Sequence, residues 1–147
     1  MADFIPKKRV KNSIVFSDFD LNMRRHPVTG KLIVKKNEDS IKQALKYLVL
    51  TNKRERFFNP LIGTDLRKKL FENIDPFLEE DLRYSIETAI KNFEPRVSFQ
   101  GAQDFLEPLG VFVTADPENN LLRVTIRFTC IETMKVETVN INLDRIR

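Results

Sequence analysis

Apolar residues recur along this chain in two rhythms. Ile41, Ala44, Leu45, Leu48 and Val49 fall at the i, i+3, i+4, i+7, i+8 spacing of one helix face. Leu78, Leu82, Ile86, Ala89, Ile90 and Phe93 make a second, longer helical stripe. After Arg96 the period drops to two. Leu122, Val124, Ile126, Phe128 and Cys130 alternate with Leu121, Arg123, Thr125, Arg127 and Thr129. That alternation predicts a strand with one dry and one wet face. Val139, Ile141 and Leu143 repeat it in the last strand, and Val97 with Phe99 and Val111 with Val113 begin two more.

Punctuating residues place the boundaries. Ser40 and Gln43 read as an S-x-x-Q capping box for the first helix, with Glu38 and Asp39 at its positive end. Thr51 and Asn52 close it, and 53–63 reads as a loop broken by Asn59-Pro60 and Gly63. Thr64 is placed to cap a short helix reaching about Phe71. Asp75-Pro76 supplies an N-cap and first-turn proline for the long helix, which Pro95 ends. Upstream, Phe19, Leu21 and Met23 alternate towards His26-Pro27-Val28-Thr29-Gly30, and Leu32 to Val34 returns, which predicts a hairpin over 18–36. Residues 1–17 read as an extended basic arm with a short strand near Ile14 to Phe16, and Asp116 to Asn120 as a turn. Helices followed by an antiparallel run imply an α+β fold, with helices packed on one face of a small, mainly antiparallel sheet. The expected organisation is one domain over 1–147 with its core at about 38–145.

Composition narrows the chemistry. A single cysteine, Cys130, forbids an internal disulfide and fits a reducing compartment. One histidine and one cysteine fall short of the usual zinc ligand count. His26 reads as a turn residue, and Cys130 lies on the buried parity of its strand. No phosphate-binding or dinucleotide fingerprint is present, so no cofactor, metal or small-molecule substrate is expected. No apolar run reaches the ~20 residues of a membrane span, and no signal-like apolar stretch follows the basic start. The net charge of +4 raises nucleic acid as a partner, but Glu79, Glu80 and Asp81 interrupt the basic clusters and argue against it. A peptidoglycan hydrolase is the rival enzymatic reading, since two carboxylates suffice for it and Glu94 and Glu107 are available. Arg96 and Lys91 beside Glu94 push its carboxyl the wrong way for a general acid, and no tryptophan floors a sugar subsite.

Two motifs remain. Glu94-Pro95-Arg96 marks the helix-to-strand junction, either as a solvated terminator or as a specific ion pair. Arg54-Glu55-Arg56-Phe57-Phe58-Asn59-Pro60-Leu61-Ile62-Gly63 joins arginines to aromatics, either pinning Phe57 or Phe58 into the core or forming a protein contact. Together they resemble the phage baseplate wedge and sheath-initiator family, which is related to the type VI secretion protein TssE. The family pattern of Leu-x-Thr-x-x-Gly-Glu-Arg, then Pro and Gly, then Glu-Pro-Arg, is matched here from Thr51 to Arg56, with Leu50 directly before Thr51 and so one place closer than in the pattern, and then by Pro60, Gly63 and Glu94 to Arg96. Arg54 stands where that pattern has glycine, so a positive φ there would be strained.

The resemblance implies structural work in a virion tail baseplate, assembled in the host cytoplasm. It implies docking on other wedge subunits, partly through Glu94, Pro95 and Arg96, a position near the tail tube, and initiation of the tail sheath. It makes the old lysozyme label of some members a name only. Glu55, Arg56 and Pro60 are the loop's candidate contact residues. Val139, Ile141 and Leu143 mark the last strand, which reads either as an ordinary edge or as a site of strand addition for sheath. On that reading, proline at Val139 would block sheath initiation while sparing wedge binding.

Overall fold

The computed structural model describes residues 16–69, 77–100, 108–116, 118–119 and 121–144. A short hairpin leads, β1 (Ser17–Phe19) against β2 (Val34–Lys36), tightened by the Arg25–Leu32 bridge. The His26 ring accepts the amides of Val28 and Thr29 at 3.3 Å each, so it is the turn residue its sequence position predicts. The helices follow: α1 (Glu38–Leu50), the short α2 (Leu66–Lys69) and α3 (Leu78–Phe93). The sheet comes last, with β3 (Val97–Ser98), β4 (Gly110–Asp116), β5 (Leu121–Cys130) and β6 (Val136–Asp144). Every pairing is antiparallel: β5 is central, β6 lies along one side, and β4 and β3 share the other.

The two rhythms meet in one hydrophobic cluster. Ile41, Leu45, Leu48 and Val49 of α1 and Leu82, Ile86 and Ile90 of α3 pack on Leu122, Val124, Ile126, Phe128 and Cys130 of β5. Val111 of β4 and Val139 and Ile141 of β6 complete that face. Cys130 is fully buried and behaves as a small core hydrophobe. Helices therefore cover one sheet face, as the α+β reading requires.

Three boundaries differ from expectation. The Ser40–Gln43 capping box does not form, because the chain leaves β2 directly into the helix. Asn37 takes the N-cap position with φ 46°, and its carbonyl receives the Ser40 and Ile41 amides. Gln43 serves the hairpin instead: its Nε2 donates to the Phe19 carbonyl at 2.8 Å and its Oε1 accepts the Leu21 amide. Thr64 does not cap α2. Its hydroxyl donates to the Val49 carbonyl at 2.6 Å, and Asp65, at φ 57°, receives the Lys68 and Lys69 amides. The third difference is small: β3 stops at Ser98, and Phe99 packs on the core outside the strand. The arm up to Val15, the Asp75-Pro76 cap, the end of the short helix near Phe71, and Pro117 and Asn120 of the expected turn lie outside the described residues.

Candidate docking surfaces

Glu94 is the residue that closes α3: its amide donates to the Ile90 carbonyl, and its own carbonyl receives the Val97 amide. The intervening proline turns the chain back so that Arg96 faces Glu94. Arg96 Nε donates to Glu94 Oε1 at 2.6 Å and Nη2 to Oε2 at 2.7 Å, a bidentate fork. The carboxylate is buried at 6% exposure, while Arg96 is partly exposed and its guanidinium lies 5.2 Å from the Phe16 ring centroid. Hydrogen bonding to Glu94 raises the Arg96 pKa against the opposing effect of burial. The ion-pair reading of the motif thus prevails over a solvated terminator. Both Glu94 oxygens accept a hydrogen bond from Arg96. Glu107, the second acid of the hydrolase reading, lies outside the described residues. Among the described residues no group of three or more His, Cys, Asp or Glu could hold a metal, and no helix is long and apolar enough to cross a membrane.

The 53–63 loop is closed at its base and open at its tip. At the base the Thr64 amide donates to the Thr51 carbonyl at 3.0 Å, the Arg54 amide to the Pro60 carbonyl at 2.8 Å and the Lys53 amide to Asp65 at 3.0 Å. Glu55 turns inward to accept the Asn52 amide at 2.8 Å. Gly63, at φ 128°, lies so close to α1's exit that a Cβ there would sit 2.5 Å from the Thr51 carbonyl oxygen. Arg54 has φ 68°, the left-handed conformation that explains the glycine of the family pattern. Phe57 and Phe58 stand 97% and 103% exposed at the tip, with Leu61 also exposed. Neither Phe pins the loop to the core. Arg56 and Pro60 are exposed beside them.

The third surface is the outer edge of β6. Val139 and Ile141 are buried and Leu143 packs against the core, so their side chains hold β6 down. What β6 offers outward is main chain. The Cys130 amide donates to the Lys135 carbonyl at 2.9 Å, which sets the phase of the ladder. Antiparallel alternation then aims the amides and carbonyls of residues 137, 139, 141 and 143 at β5, and those of Val136, Thr138, Asn140 and Asn142 outward. Among the described residues no strand pairs with that side. The opposite edge is treated differently: the outward amide of Ala115 on β4 is taken by Glu79 of α3 at 2.8 Å.

Sequence reasoning missed the Phe16–Arg96 stacking and the Gln43 clamp. Both join segments far apart in the chain, and no local pattern signals them.

A family model described as baseplate wedge protein gp25 matches residues 35–135. Baseplate wedge protein gp25 of Enterobacteria phage T4 is 36% identical over 93 residues, a match spanning 63% of this chain and 64% of that protein. Among solved structures, a protein of Geobacter sulfurreducens described as a tail lysozyme superposes with a TM-score of 0.63 at 15% identity, over 80% of this chain and 98% of that one. A chain of the anti-feeding prophage baseplate superposes with a TM-score of 0.55 at 20% identity, over 89% and 87%. At these identities the two structures share the fold with this chain, and nothing narrower.

Proposed function

The chain belongs to the gp25 baseplate wedge family, and on that premise we propose that it is a structural, non-enzymatic subunit of a contractile-tail baseplate that docks on other wedge proteins and starts the sheath. Its place is the virion tail, and it acts as a rigid adaptor. The Glu94–Arg96 fork fixes the α3–β3 corner, and the locked loop presents Phe57 and Phe58 beside Arg56 as an anchor for a wedge neighbour. The sheath protein adds a strand to β6.

The observation that carries this reading is the open β6 edge. Thr138, Asn140 and Asn142 carry no charge or proline that would block an incoming strand. Main-chain hydrogen bonds would supply affinity there, and the pleat would set register. The test is sheath polymerisation on reconstituted baseplates. Proline belongs at Asn140, not at Val139: the Val139 amide points to β5 and its side chain to the core, whereas the Asn140 amide points outward. Asn140→Pro should fold, enter baseplates and fail to start sheath. Normal sheath growth from baseplates carrying folded Asn140→Pro would overturn strand addition.

A further inference from the structure

The open edge of β6 is one wall of a cleft whose other walls are α1 and the hairpin. The cleft has a volume of about 350 Å³. Thr138 and Val139 line it from β6, and Lys42, Gln43, Lys46 and Tyr47 from α1. Four cations reach it, Arg24, Lys35, Lys42 and Lys46, against two acids, Asp20 and Asp39. Their pairing is uneven. Arg24 is committed to Asp20 at 2.7 Å, and Lys42 to Glu137 at 2.7 Å. Among the described residues, Lys35 and Lys46 enter no ion pair. Asp39 sits in the first turn of α1, where the positive end of the helix dipole already compensates it.

A strand laid on β6 turns alternate side chains towards the helix layer and the others towards the open sheet face. Those on the helix side enter the cleft. We propose that this cleft selects an added strand with acidic side chains at its helix-facing positions, read chiefly by Lys35 and Lys46. The proposal rests on strand addition at β6 and supplies what main-chain pairing lacks, a preference among sequences. Hydrogen bonds to Asn140 and Asn142 accept any extended chain, whereas the ammonium groups discriminate by sign. The opposite edge has no such preference to offer: the groove beside β4 is lined by Glu79, Glu80 and Arg83, and its Ala115 amide is occupied.

Three soluble ten-residue peptides test this, alternating threonine with glutamate, glutamine or lysine. Each is titrated at millimolar concentration into the ¹⁵N-labelled full chain at low salt. The expected result is that the glutamate peptide moves the amides of Thr138, Asn140 and Asn142, binding roughly five- to tenfold more tightly than the glutamine peptide, with the lysine peptide weaker again. The double variant Lys35→Glu/Lys46→Glu should reverse the order. Equal shifts of the β6 amides by all three peptides would overturn the charge preference and leave strand addition standing. Shifts confined to the Arg54–Arg56 loop, or none at the β6 amides with any peptide, would overturn both.

Discussion

Arg96 shows how much a single side chain can fix. Its fork neutralises a carboxylate that would otherwise be buried without a counter-charge. Arg96→Ala should therefore lower unfolding free energy by about 2–4 kcal/mol, part of the cost of stranding a buried ion, since the arginine itself is partly exposed. Arg96→Lys cannot restore two parallel hydrogen bonds and should recover only part of that loss; urea titration measures both. Two loop positions run in opposite directions. Gly63→Ala forces a Cβ into the backbone of Thr51 to Lys53 and should cost about 2–4 kcal/mol. Arg54→Gly relieves a left-handed arginine and should gain a few tenths to about 1 kcal/mol after the entropy of glycine is deducted. The Arg54 strain was legible in the sequence, because the family pattern has glycine at that place. The Asn37 and Asp65 conformations were not: asparagine and aspartate reach positive φ more often than most residues, but the great majority of them still sit at negative φ.

Acid sensitivity also belongs to single residues. Hydrogen bonding to Arg24 lowers the pKa of Asp20 against its desolvation, bonding to Lys135 lowers that of Glu38, and bonding to Asn119 lowers that of Asp116. A depressed folded-state pKa stabilises fully above the unfolded value, about 4 for these carboxylates, and the gain disappears as pH falls through the folded value. Melting temperature should hold steady from pH 7 to about pH 5 and fall below about pH 4. Glu38→Gln should be less stable at pH 7 and should lose less on acidification than the parent chain. Its partner Lys135 has a raised pKa, so its contribution persists until alkaline pH exceeds the ordinary lysine range.

Among the elements, the strands were the most legible. A strict period of two in β5 and β6 leaves one register that buries the apolar set, and Leu122 to Cys130 adopt it. The helices were legible in their stripes and not in their starts. Entry into α1 depends on where β2 releases the chain, and entry into α2 on a hydroxyl that bonds a distant carbonyl, neither of which a capping pattern encodes. The 53–63 loop was legible as chemistry and ambiguous as placement, because fully exposed and fully buried phenylalanines look alike in sequence. Its exposed tip leads to a separable prediction. Phe57→Ser/Phe58→Ser removes no core contact, so its thermal stability should stay within about 0.5 kcal/mol of the parent. The same protein should fail to enter baseplates. Thermal melts and incorporation into wedge complexes check the two halves independently.

At the scale of the molecule, helices seal one sheet face and the two edges carry opposite character. Glu79 reaches from α3 to close β4, while among the described residues β6 stays open beside a lysine-lined cleft. An open edge is indifferent to whose strand fills it, so isolated copies are exposed to pairing β6 against β6 about a twofold axis. Such a pair would set both α1 helices on the same face of the joined sheet, flanking the seam, and bring Lys46 of each copy towards the other. The lysines would then act as a guard that keeps stored protein from consuming its own seed surface. Sedimentation should find monomers at low ionic strength and reversible dimers in about 1 M salt, where screening shortens to roughly 3 Å. Replacing Asn140 with proline should keep the chain monomeric in both.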